Sequence, residues 1–164
     1  PMPEKSFQDY YPEHTAHCYG CGRLNELGYQ LKSYWDGDES VARFTPRPEH
    51  IAIPGYVYGG LLASLIDCHG TGTASAAAYK AEERDMDSEP SHRFLTGSLH
   101  VDFLKPTPLG IELEVRGKVK EVKGRKIVIE EWIVANGEIT VRGEVVAVEV
   151  PETLVLGLLE KAKN

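Results

Sequence analysis

Asp67 stands where a carboxylate is expensive. It follows the run Tyr58-Gly59-Gly60-Leu61-Leu62-Ala63-Ser64-Leu65-Ile66, which reads as a buried helix opened by a glycine pair. An ionised carboxylate on such a helix costs free energy unless it is paired or used. The first turn of the same helix offers backbone N–H groups that have no partner within it, at the positive end of the helix dipole. A carboxylate to activate a nucleophile and aimed N–H donors to steady an oxygen gaining charge form a candidate catalytic constellation.

Other residues are also of types that can do chemistry. Cys18-Tyr19-Gly20-Cys21 is half of a four-ligand zinc site, to which His14 and His17 could add ligands. No second Cys pair follows, so the segment reads as a loop shaped by Gly20 and Gly22, and no metal is expected. A redox pair is disfavoured because no thioredoxin-like helix follows. Cys68 reads as a small apolar packing residue. His69 adjoins Asp67, but neighbouring helix positions point about 100° apart. It therefore reads as a helix-surface or interface residue rather than the partner of Asp67. Tyr58 reads as a core aromatic, since a phenol is a poor base at neutral pH. Thr96 is equally compatible with an ordinary strand threonine. Gly59-Gly60 fits either packing or close approach of a ligand. His100 and Asp102 share a strand face and read as solvated. Lys105 and Arg93 are candidate phosphate partners on charge alone.

The elements that position these residues follow from periodicity. Residues 1 to 28 read as irregular. Tyr29 to Trp35, the Asp36-Gly37-Asp38 turn and Val41 to Thr45 read as a hairpin. Residues 57 to about 80 form one long helix, apolar on most sides and so wrapped by other structure. A charged loop spans 81 to 91. Four strand candidates follow. In the first, Leu95, Gly97, Leu99, Val101 and Phe103 alternate with Thr96, Ser98, His100 and Asp102. Pro108-Leu109-Gly110, Lys123-Gly124 and Asn136-Gly137 read as hairpin turns, the last a strong type I′ signal, giving an antiparallel meander. Leu154 to Lys161 reads as a short terminal helix. One domain is expected, α+β in class, with residues 1–28 as an irregular lead, 29–150 as the body and 151–164 as a tail.

The formal net charge of -7 and the lack of a Lys/Arg cluster argue against nucleic acid as a partner. No apolar run approaches the roughly 20 residues that span a bilayer, so no membrane partner is expected. Pro1-Met2-Pro3-Glu4-Lys5 lacks an apolar signal core, and three cysteines make no disulfide framework. The expectation is a cytoplasmic protein with reduced thiols.

A curved antiparallel sheet around one central helix is the hot-dog architecture. The order of elements, Gly-Gly-Leu-Leu-Ala-x-Leu-Ile-Asp on the helix and Phe103-Leu104-Lys105-Pro106 after the next strand resemble the hot-dog acyl-CoA thioesterases, PaaI-like branch. His17-Cys18-Tyr19-Gly20-Cys21-Gly22 followed by Asn25, Gly28 and Leu31 resembles an N-terminal loop of many such chains. The resemblance covers about residues 17 to 150. It implies Asp67 as the catalytic acid, either a general base on water or a nucleophile. It implies Gly59 as the backbone N–H that polarises the thioester carbonyl, and Thr96 as the hydroxyl that positions water. Tyr58 and Gly60, with His50, are the implied substrate-binding residues. Tyr58 stands where the family has His, and Ala52 where it often has Asn, an amide for which His50 is the candidate partial replacement. No cofactor is implied beyond the CoA carried by the substrate.

Gly59 and Asp67 are eight residues apart, about 12 Å along a helix. A general base must come within roughly 3 Å of its proton, directly or through one water. One helix cannot serve both ends of the reaction, which calls for a twofold homodimer with composite sites. The family resemblance adds that such dimers often pair into tetramers. Two other functions compete. A hot-dog dehydratase is faintly echoed by His50-Ile51-Ala52-Ile53-Pro54-Gly55, but its helix acid would fall at Ser64. A binding module that kept the fold and lost the catalyst is motivated by Tyr58 and Ala52.

Overall fold

The computed structural model describes residues 5–164; Pro1 to Glu4, read above for a signal core, lie outside the described residues. Two 3-10 turns, Phe7–Tyr10 and Glu13–Thr15, open the described chain. Strands β1 (Ser33–Asp36) and β2 (Glu39–Phe44) form the first hairpin. Helix α1 spans Gly59–Ala81. Strands β3 (Arg93–Phe103), β4 (Leu113–Lys123), β5 (Lys126–Ala135) and β6 (Glu138–Val150) follow, and α2 (Glu152–Ala162) closes the chain. The first strand is shorter than the sequence suggests. Gln30 takes the left-handed conformation (φ 52°), and Tyr29 and Leu31 give their N–H groups to the carbonyls of Tyr19 and Gly20 instead of to a strand.

All six strands form one antiparallel sheet in the order β1-β2-β4-β5-β6-β3. This corrects the expected meander. β4, β5 and β6 are joined by hairpins, the last through Asn136 and Gly137 with φ 51° and 75°, the backbone a type I′ turn demands. Pro108-Leu109-Gly110 is no hairpin, because β3 and β4 lie at separate places in the sheet. β3 instead crosses over to pair with β6.

The sheet wraps α1, as a helix with so few polar positions requires. Leu61, Leu62, Leu65 and Ile66 pack against Leu113, Val115, Ile129, Ile133, Val141 and Val145, all buried. Truncating one of these to Ala would cost roughly 2–5 kcal/mol. Gly70 lets the helix come close to the sheet: a Cβ there would fall 2.5 Å from Glu131 Oε2 and 2.7 Å from Val145 Cγ2.

A polar chain runs through this core. Gln8 Nε2 donates to Ser33 Oγ (3.0 Å), Ser33 Oγ lies 2.8 Å from His69 Nδ1, His69 Nε2 lies 2.9 Å from Ser40 Oγ, and Ser40 Oγ lies 2.7 Å from Thr73 Oγ1. Thr73 Oγ1 donates back to the His69 carbonyl (2.7 Å). One direction of donation satisfies every member, with His69 neutral and its proton on Nε2. His69 is therefore a core residue, not the surface or interface residue that its place beside Asp67 suggests. Burial pushes its pKa down to about 3. The same chain pins the first 3-10 turn to β1.

Candidate active site

Helix α1 starts at Gly59 on a scaffold of backbone contacts. Tyr58 N–H donates to the His50 carbonyl (2.8 Å) and Val57 N–H to that of Thr107 (2.9 Å). Tyr58 supplies no side-chain cap. The N–H groups of Gly59 and Gly60 have no acceptor among the described residues, as the first turn of an α-helix dictates. Gly60 is needed for a local reason: a Cβ there would lie 2.4 Å from the Tyr58 ring, which folds over it. Phe103, near the end of β3, lies against the helix start, at 3.4 Å from a Cβ placed on Gly59.

Two turns along, Asp67 is half-buried and accepts a hydrogen bond on Oδ1 from the Thr96 hydroxyl. The side chain that alternation assigned to the outer face of β3 thus points at the helix. A bulge explains it. Thr96 pairs with Ala147 and Ser98 with Val146, leaving Gly97 as the extra residue. The phase of the strand reverses across Gly97. Leu99 and Phe103 oppose the buried Val145 and Val141, whereas before the bulge it is Thr96 that opposes a buried residue, Ala147. A side chain at Gly97 would meet Val148 Cγ2 at 2.8 Å.

Asp67 and Thr96 open onto a cavity of about 250 Å³ that is also lined by Tyr11, Thr71, Ser75, His92 and Phe94. All three cysteines line it too. The loop segment carrying Cys18 and Cys21 folds over α1, so that Cys18 Sγ lies 3.7 Å from Cys68 Sγ. Hydrogen bonds from the other two thiols lower the Cys18 pKa, while hydrogen bonds to Cys18 and Cys21, and then burial, push that of Cys68 up. Cys68 is thus no mere apolar filler. A larger hollow of about 1080 Å³, near Trp35, Lys80 and Arg84, contains neither the Asp67–Thr96 pair nor a thiol.

Other candidates fall elsewhere. His50 is buried between the rings of Tyr29 and Phe44, and its Nδ1 accepts the Arg47 N–H at 2.9 Å. That places it as a brace for the loop before α1, outside the Asp67 cavity. His14 is engaged by Glu152 at 3.2 Å. His100 and Asp102 face each other on an exposed strand face, 3.1 Å apart, as their shared parity implies.

The most deeply buried carboxyl is Glu131, which sequence reasoning passed over. It is 1% exposed, lies on β5 under Gly70, and neither oxygen has a hydrogen-bond partner among the described residues. Burial, and then the charge of nearby Asp67, pushes its pKa well above the usual carboxylate range. The signal was present: Ile127, Ile129 and Ile133 share its parity, so the alternation puts Glu131 on the apolar face.

Fold and site together define a hot-dog protein with a carboxylate and a hydroxyl at the flank of its central helix. The sequence matches the Thioesterase superfamily over residues 54–141, more than half the chain, and the protein belongs to that family. Among solved structures, a thioesterase superfamily protein from Shewanella loihica PV-4 is 47% identical, with TM-score 0.66 over 88% of this chain and 99% of that one. The Escherichia coli PaaI protein shares the fold at 15% identity, with TM-score 0.60 over 74% of this chain and 80% of that one. Acyl-coenzyme A thioesterase THEM4 of Xenopus laevis is 28% identical over 103 residues, covering 62% of this chain and 40% of the relative. The chain thus spans less than half the length of this curated relative. No described helix is long and apolar enough to cross a membrane.

Proposed function

We propose that the chain hydrolyses acyl-CoA thioesters at a site shared between two copies. The observation that carries this is the Asp67–Thr96 hydrogen bond at the cavity mouth, on the same helix whose first-turn N–H groups are free. Asp67 activates water or attacks the carbonyl carbon itself. Thr96 fixes the carboxylate through one oxygen and leaves the other for chemistry. The Gly59 N–H, with the helix dipole behind it, receives the oxygen that becomes negative. Thiolate leaves readily, so no strong acid is required opposite it.

The eight-residue separation makes a second copy necessary, and β3 supports one. It is eleven residues long and, among the described residues, pairs only with β6, so its outer edge is open. Leu95, Leu99, Phe103 and Leu104 are all more than 40% exposed along it. Long apolar open edges are covered in stable proteins. Two β3 edges pairing antiparallel about His100, with Gly97 looped out of the ladder, set Phe103 of one copy across from Thr96 of the other. Gly59, which lies against Phe103, then comes to the partner's Asp67. The reading supports a homodimer; pairing of dimers into tetramers rests on family resemblance alone.

The test is thiol release from a panel of acyl-CoAs, combined with complementation. Gly59→Pro removes the backbone N–H at a first-turn position that tolerates proline, and the extended Tyr58 (ψ 128°) accepts a following proline. Asp67→Asn removes the carboxylate. Each variant alone should be inactive. Subunits exchanged in equal amounts should recover about a quarter of wild-type activity, because half of the dimers then hold one intact site. No recovery on mixing sinks the shared site, and release that survives Asp67→Asn sinks the role of that residue. Tyr58, whose ring covers Gly60, favours one rival, a binding module; saturable acyl-CoA binding with no release from any thioester would establish it.

A further inference from the structure

Three thiols from two separate parts of the chain converge beside Asp67. The Sγ atoms of Cys18, Cys21 and Cys68 all lie within 4.8 Å of one another, the first and last 3.7 Å apart. No cystine links any of them. Four sulfurs around a zinc ion sit about 2.3 Å from it and hence roughly 3.8 Å from each other. The cluster is therefore already spaced for three of four tetrahedral positions. The backbone around it is built to close approach. A Cβ on Gly20 would fall 2.3 Å from Cys68 Sγ, and one on Gly22 would collide with the Ala16 carbonyl and Cys18 nitrogen at 2.5–2.6 Å. Both glycines are thus required for the loop to bring its thiols down on α1. All three cysteines also line the 250 Å³ cavity, which leaves the fourth position facing that space.

We propose that Cys18, Cys21 and Cys68 form a three-thiolate site for one zinc-like divalent cation, with its open coordination position in the Asp67 cavity. Each thiol that ligates releases its proton to solvent, so binding is tighter at higher pH. The bound ion staples the segment around residues 16–31 to the central helix. The proposal does not depend on thioester hydrolysis.

Co²⁺ is the probe. Reduced, chelator-treated full chain is titrated with Co²⁺ and followed by absorption. One equivalent per chain should give a thiolate-to-cobalt charge-transfer band, and Zn²⁺ should displace it. Thiol titration of the folded chain should find the exposed Cys18 reactive without metal and protected with it. Cys68→Ser sits in the core and is checked for folding by circular dichroism. Cys18→Ala, at an exposed position, keeps the test valid if that variant unfolds. In Cys18→Ala the band should lose about a third of its intensity, in line with two remaining thiolates, and Zn²⁺ affinity should fall at least tenfold. Absence of the band, or a band unchanged by both Cys18→Ala and Cys21→Ala, overturns the proposal.

Discussion

Replacing Glu131 by Gln should stabilise the protein, by an amount that grows with pH. In the unfolded chain this carboxyl ionises near its ordinary value of 4.5. In the fold it is 1% exposed, lacks any hydrogen-bond donor among the described residues and feels the charge of Asp67, so it stays protonated well above that value. Above pH 4.5 the unfolded state has therefore lost a proton that the folded state keeps. Stability then falls with rising pH by about 1.4 kcal/mol per unit, until the folded-state group also ionises. The amide mimics the protonated acid in shape and never ionises. Near pH 4 the two proteins should thus differ little. If the acid stays protonated throughout, the gap reaches a ceiling of about 3 kcal/mol at pH 7. For a chain of this size that corresponds to roughly 6–12 °C in Tm. Guanidinium unfolding of both proteins from pH 4 to pH 8, at one fixed protein concentration, measures the gap directly. Parallel stability curves, or a variant less stable at pH 7, would refute the assignment of Glu131 as an uncompensated buried acid.

Further outcomes are expected. Asp67→Asn should lower kcat for acyl-CoA hydrolysis by about 10²–10⁴ while leaving Tm within a few degrees, checked by thiol release and calorimetry. Thr96→Val should reduce kcat by roughly tenfold with little change in KM, because it frees a carboxylate rather than a substrate contact. Leu99→Lys should dissociate the dimer and abolish hydrolysis together; sedimentation that still gives a dimer would move the interface away from β3. The neutral His69 should add stability above its unfolded value of 6.5 that is lost as pH falls from there toward 3. Acid unfolding of His69→Gln should accordingly be flatter over that interval.

The sequence made the scaffold of this site readable and left its assembly obscure. Twenty-three residues with one acidic side chain announce a wrapped helix, and the start at Gly59 falls where the glycine pair stands. Asn136-Gly137 dictates its own turn. The place of β3 could not be read, because Pro108-Leu109-Gly110 gives the same local signal whether the next strand returns alongside or crosses the sheet. Contacts between distant segments were equally silent. Nothing near Cys68 says that Cys18 and Cys21 will land on it, and nothing near His69 names Ser33 and Ser40. Glu131 differs from these, since the period of its strand contained the answer.

Gly97 makes β3 a strand with two handednesses of address. On one side of it even-numbered side chains look at the helix, on the other odd-numbered ones do. Deleting that single glycine would let the ladder to β6 close without interruption and would leave Thr96 opposite Ala147, still facing Asp67. Flattening the bulge with Gly97 retained would instead pair Gly97 with Ala147 and swing Thr96 outward, taking the hydroxyl away from the carboxylate. The backbone kink, rather than any residue type, thus decides whether the hydroxyl reaches its acid.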